Sequence, residues 1–83
     1  MLDFFHNPSL QLSEDQKFLE ISYVPKTNKP IFDICDPSGS ILKSGTMTKK
    51  KMRVLIADLL DSVYVFLILD GDRIRSKKFT ISR

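Results

Sequence analysis

The chain is short of the residues on which most enzymes depend. It carries one cysteine, Cys35, and one histidine, His6, in 83 residues. A single cysteine excludes an internal disulfide framework and a cysteine-based zinc site. A single histidine removes most histidine-dependent catalysis. Long hydrophobic runs are missing: the longest, 63–69, is seven residues, against the ~20 a spanning helix needs. The three glycines, Gly39, Gly45 and Gly71, are isolated and read as turn residues, so no phosphate-cradling loop is present. Met1, Leu2 and Asp3 open the chain without a basic, then apolar, leader. Such a start fits a standalone cytoplasmic protein. It fits equally a C-terminal piece of a larger exported protein with Met1 supplied at the cut.

What remains suits one small domain spanning 1–83. Hydrophobic residues make up 42%, with six Phe and two Tyr, enough for a single core. Charged residues are 28% at a net charge of +3, which excludes a disordered polyelectrolyte. The basic excess lies in the second half: Lys49, Lys50, Lys51, Arg53, Arg73, Arg75, Lys77, Lys78 and Arg83. Two readings follow. The residues solvate the surface and protect edge strands, or they attract an anionic partner such as nucleic acid or lipopolysaccharide. Long basic runs are absent, so nucleic acid is the less favoured partner.

Period-2 alternation dominates and helical periodicity is weak throughout. The run 2–6 is apolar and stops at Asn7-Pro8. Residues 9–16 are polar and read as a loop. In 17–24, Leu19, Ile21 and Tyr23 share a face; 25–30 is a turn between two prolines. Phe32 and Ile34 alternate with Asp33 and Cys35 in 31–36. Asp36-Pro37-Ser38-Gly39 is a type I or II turn leading into a strand at 40–43, with a polar loop at 45–50. Met52, Val54 and Ile56 form another face, and 57–61 is a short connection with room for one helical turn. In 62–70, Tyr64, Phe66 and Ile68 line one face, while Val63, Val65, Leu67 and Leu69 line the other. Such a strand is central or covered. Asp70-Gly71 signals a type I′ hairpin turn, and the last strand is 72–82. There Ile74 is out of phase with Phe79 and Ile81, so a β-bulge is expected near Ser76-Lys77-Lys78. Seven short strands predict an antiparallel, Ig-like β-sandwich, with a small barrel as second choice. The predicted core is Leu19, Ile21, Phe32, Ile34, Met52, Val54, Tyr64, Phe66, Ile68, Phe79 and Ile81.

Chemistry is thin. His6 is the one candidate general base, with no partner nearby in sequence. Cys35 lies between Asp33 and Asp36, the wrong charges to favour a nucleophilic thiolate. The pairs Glu14-Asp15 and Asp70/Asp72 flank turns and lack calcium-loop spacing. Phe4, Phe5, Phe66 and Phe79 fit core alternation better than base stacking. No catalytic residue, cofactor or metal is expected.

Three blocks go further. The first is Phe4-Phe5-His6-Asn7-Pro8 with Leu19-Glu20-Ile21. The second is the hairpin Ile31-Phe32-Asp33-Ile34-Cys35-Asp36-Pro37-Ser38-Gly39-Ser40-Ile41-Leu42-Lys43. The third holds Ile56-Ala57-Asp58-Leu59-Leu60-Asp61-Ser62-Val63-Tyr64 and the ending Lys77-Lys78-Phe79-Thr80-Ile81. In this order they resemble the C-terminal sorting domains of cargo proteins exported by the type IX secretion system of Bacteroidetes. The resemblance implies a non-catalytic targeting signal that passes through the periplasm towards the cell surface. Its implied partners are the outer-membrane translocon and the surface-attachment machinery. Recognition would fall on Ser62, Val63, Tyr64, Lys77, Lys78, Phe79, Thr80 and Ile81, with turn motifs at Asn7, Pro8, Asp36, Gly39 and Gly71. Oligomeric state is left open.

Overall fold

The computed structural model describes residues 7–83, so the apolar run 2–6, with Phe4, Phe5 and His6, lies outside the described residues. Seven strands follow: β1 (Ser9–Leu12), β2 (Phe18–Ser22), β3 (Ile31–Cys35), β4 (Ile41–Thr46), β5 (Lys51–Leu55), β6 (Ser62–Asp70) and β7 (Arg73–Ile81). They form two antiparallel sheets, β1-β2-β5 and β4-β3-β6-β7. Two separate sheets around one core make a β-sandwich rather than the barrel. The order is immunoglobulin-like, with the fourth strand beside the third instead of beside the fifth. Tyr64, near the start of β6, donates its hydroxyl to the Leu60 carbonyl at 2.5 Å. That is the tyrosine corner of such sandwiches.

The core follows the alternation. Leu19, Ile21, Phe32, Ile34, Tyr64, Phe66, Ile68, Phe79 and Ile81 are buried in one cluster. Met52 and Val54 are half-buried and pack against it. Tyr23, Met47 and Ile56 join the buried set. Phe32 stacks near Phe66, and Tyr64 near Phe79, each with centroids 5.7 Å apart.

Four local expectations need correction here. Residues 9–16 are not all loop: Ser9–Leu12 is β1, because Leu10 and Leu12 face the core opposite Ile21 and Leu19. Gly45 is not a turn glycine; it lies within β4 opposite Phe32, whose ring fills the place of its missing side chain. The 57–61 connection contains turns and no helix. The bulge at 76–78 is absent, since β6 and β7 pair without interruption from Ser62↔Ile81 to Asp70↔Arg73. The phase conflict is resolved by leaving Ile74 on the outer face, 58% exposed. The register shift falls instead between β3 and β4, where Leu42 is skipped between Ile34↔Lys43 and Cys35↔Ile41.

The turns are equally specific. Gly39 donates to the Asp36 carbonyl and has φ 90°, while Ser38 keeps a negative φ, so the β3–β4 turn is type I followed by a left-handed glycine. The β6–β7 turn is centred on Gly71-Asp72, not Asp70-Gly71. Positive φ is confined to Gly71 (66°), which is the type II′ pattern rather than the expected I′.

One end of the sandwich is closed by Arg83. Its guanidinium donates to the carbonyls of Gln16, Ile56 and Leu59, at 2.6 to 3.2 Å. Its backbone N–H donates to Asp61. Gln16 itself has φ 57°, a conformation that costs a non-glycine residue about 1 kcal/mol or more, and these bonds hold it there. Arg83→Ala should therefore lower stability by about 1.5–3 kcal/mol. Arg83→Lys should recover little, because an ammonium lacks the planar fork. Thermal unfolding of both variants measures this.

Candidate docking surface

In register, Ser62 faces Ile81, Val63 faces Thr80, Tyr64 faces Phe79, Val65 faces Lys78 and Phe66 faces Lys77. The two halves of the sequence-derived recognition set thus meet as one ladder of neighbouring pairs. Side-chain direction then divides them. Tyr64, Phe79 and Ile81 are buried and have structural roles. Val63, Lys78 and Thr80 stand on the outer face. Lys77 reaches the other way and donates to the Pro8 carbonyl at 3.2 Å. Pro8 is fully buried and Asn7 exposed.

The outer face of the four-stranded sheet is apolar along β6, where Val63, Val65, Leu67 and Leu69 point outward, and is crossed at its middle by the row Ser44–Asp33–Leu67–Ser76. Ile31, Leu69 and Ile74 make one cross-strand row; Cys35, Val65 and Lys78 make another. Val63 is 43% exposed, Ile31 50% and Ile41 61%. β6 is central, as expected, but no described residue covers this face. A depression of about 390 Å³ sits on it, lined by Cys35, Asp36, Pro37, Val63, Val65 and Lys78. Asp36 is fixed at its rim: its carboxylate accepts from the Ser38 hydroxyl and from the Ser38 and Ser40 amides. The Ser38 hydroxyl first, then the Ser40 amide, hold its pKa below the usual carboxylate range.

β7 is an edge strand. The two-residue hairpin closes on Asp70↔Arg73, so odd-numbered β7 residues exchange backbone bonds with β6 and even-numbered ones turn theirs outward. Ser82 agrees with this phase: its N–H and carbonyl both bond the Gln16 side-chain amide, at 2.8 and 2.9 Å. At the other end, Arg75 donates to the Ile74 carbonyl. Between these two caps, the outward backbone groups of Ser76, Lys78 and Thr80 have no partner strand among the described residues.

A second feature escaped sequence reasoning. Asp70 is fully buried. Its carboxylate accepts from the Tyr23 hydroxyl (2.6 Å), the Thr27 N–H (2.8 Å), the Thr27 hydroxyl and the Lys26 N–H. Arg73 lies 3.7 Å away and also bonds the Tyr23 oxygen. Burial alone would raise the Asp70 pKa; the hydrogen bonds, led by Thr27 and Tyr23, outweigh it and hold the group far below the usual carboxylate range. Burial first, then the bond to Asp70, push the Tyr23 phenol up. Asp70 thus ties the 25–30 loop to the β6–β7 turn. The available signal was parity, since residue 70 is in phase with the buried Tyr64, Phe66 and Ile68.

Cys35 is a half-exposed free thiol. Among the described residues, no group of three or more His, Cys, Asp or Glu could hold a metal ion. Among the described residues no helix is long and apolar enough to cross a membrane. No protein-family model and no curated protein matches the chain.

Proposed function

We propose that this chain is a targeting module that works by being bound, in the manner of a type IX sorting domain. It would pass through the periplasm and be read, folded, by the outer-membrane export machinery and its surface-attachment partners. The observation that carries the reading is the β6–β7 hairpin, which joins an outward apolar strand to an edge, neither of them covered or paired by a further strand among the described residues. Partner strands add to such edges through backbone bonds, while side-chain pockets supply selectivity. The outward apolar side chains along β6 support the reading, since exposed apolar surface favours association. Val63 and Lys78 stand on that face beside the same depression. The buried members of the set build the platform that presents them.

The test is a reporter with an export leader, fused ahead of residues 1–83, in a bacterium that has type IX secretion. The unaltered fusion should reach the cell surface. A Val63→Ser, Lys78→Ser double variant should stay folded, since each exposed change costs roughly 0.5 kcal/mol, yet accumulate in the periplasm. Lys77→Ser, which alters a side chain pointing away from this face, should export normally. Normal export of the double variant would move recognition elsewhere. Failure of the unaltered fusion to leave the periplasm would overturn the reading itself.

A further inference from the structure

The opposite side of the sandwich carries a second, chemically different surface. The outer face of β1-β2-β5 holds a groove of about 690 Å³, within the ~300–1,000 Å³ of small-molecule sites. Its floor is the cross-strand row Ser9–Ser22–Lys51, where short hydroxyl side chains leave the sheet low. The row Gln11–Glu20–Arg53 makes one wall, and Thr48 and Lys49 also line the groove.

The polar groups in this groove are unspent. Some polar groups elsewhere are paired: Ser13, Ser38 and Ser44 bond aspartates, and Lys26, Lys43 and Arg73 face Asp72, Asp58 and Asp70. In the groove, Ser9, Gln11, Ser22, Lys49 and Lys51 have no side-chain hydrogen bond or ion pair with any described residue. Thr48 has only the Met52 sulfur, at 3.8 Å from its hydroxyl. The one carboxylate, Glu20, approaches only Nε of Arg53, at 3.5 Å. The Arg53 guanidinium lies over the Phe18 ring, its central carbon 4.1 Å from the centroid, a contact that restricts the side chain and leaves its terminal nitrogens available to a ligand.

We infer that this groove binds an anionic polysaccharide. Lys49, Lys51 and Arg53 give a positive field that favours negative charge over neutral sugar. Lys51 and Arg53 are two residues apart on one strand face, about 7 Å. They are spread along the sheet rather than converged on a point, which suits repeated sulfates or phosphates on a chain better than one free anion. The hydroxyls and the Gln11 amide match sugar hydroxyls. Single-stranded nucleic acid fits less well, because bases need open aromatic faces and Phe18 is already covered by Arg53.

The probe is a heparin octasaccharide titrated into the full chain and followed by amide chemical shifts. Neutral dextran and a single-stranded oligonucleotide of equal charge serve as comparisons. Shifts should centre on Ser9, Ser22, Thr48 and Lys51. Lys51→Gln and Lys49→Gln should each weaken binding by about tenfold, the loss of one charge-assisted contact. Lys78→Gln and Lys29→Gln, which lie outside the groove, should leave it unchanged. Ser22→Leu, which fills the floor without removing charge, should also weaken it, with unfolding curves confirming that each variant stays folded. Equal weakening by charge changes inside and outside the groove would overturn the proposal. So would oligonucleotide binding as tight as heparin's, or shifts centred on another face.

Discussion

Asp70→Ala is expected to destabilise the domain by about 3–5 kcal/mol, the range for removing one member of a buried charged network. The loss has three parts. The Tyr23 hydroxyl, the Thr27 hydroxyl and the amides of Lys26 and Thr27 lose their acceptor. Arg73, nearly buried, loses its carboxylate. The 25–30 loop loses its tie to β6. Each kcal/mol shifts the midpoint of a domain this size by roughly 4–8 °C, so thermal unfolding should fall by tens of degrees. Tyr23→Phe removes a single bond and should cost only about 1 kcal/mol. A loss for Asp70→Ala no larger than that would show that the network is not a unit.

The same group makes stability depend on acid. Its folded-state pKa lies below the ordinary 3.8, so the native state favours the carboxylate. The contribution is complete above the unfolded value and shrinks as pH falls through about 3.8, continuing until the folded-state group is itself protonated. Asp70→Asn should flatten this part of the acid limb. Asp15, Asp36, Asp58 and Asp72, also lowered, would keep the remaining slope in the same direction.

The second large effect is at Gly45. A Cβ there would lie 2.6 Å from the tip of the Phe32 ring and 2.8 Å from the adjoining carbon. Phe32 is buried and stacked near Phe66, so the ring cannot swing clear without disturbing the core. Gly45→Val should cost roughly 2–4 kcal/mol, from overpacking and displaced aromatic contacts. The diagnostic is a double-mutant cycle. In a Phe32→Leu background the clash is relieved, and the same change should cost far less. Additive costs would mean that the glycine serves the backbone rather than the ring.

Legibility of the sequence followed the strength of local alternation. β6 was readable to the residue because apolar side chains occupy both faces over its whole length. β1 was not, because two leucines in a polar stretch show their phase only once Leu19 and Ile21 lie opposite. Gly45 looked like punctuation; its meaning depends on Phe32, a cross-strand neighbour. Asp70 looked like turn chemistry beside Gly71, although its parity placed it inside. The bulge was assigned to the wrong strand because periodicity records a conflict but not its remedy. The fold keeps nine continuous β6–β7 pairs and leaves Ile74 exposed. For the docking surface, sequence supplied the segments. Register supplied their adjacency, and side-chain direction separated the presented Val63 and Lys78 from the buried Tyr64, Phe79 and Ile81.

The two side chains that cap β7 also act as a ruler. Gln16 occupies the backbone of Ser82, and Arg75 takes the carbonyl of Ile74. Among the described residues only the interval between them is open, so under the proposed function a guest strand would have a landing length of about 20 Å. A guest displaced by two residues in either direction would meet a guanidinium or a carboxamide where it needs a peptide group. A one-residue slip would instead turn its own side chains to the wrong face. Discrimination among guests can therefore arise from where pairing must stop as much as from the side chains met along the way.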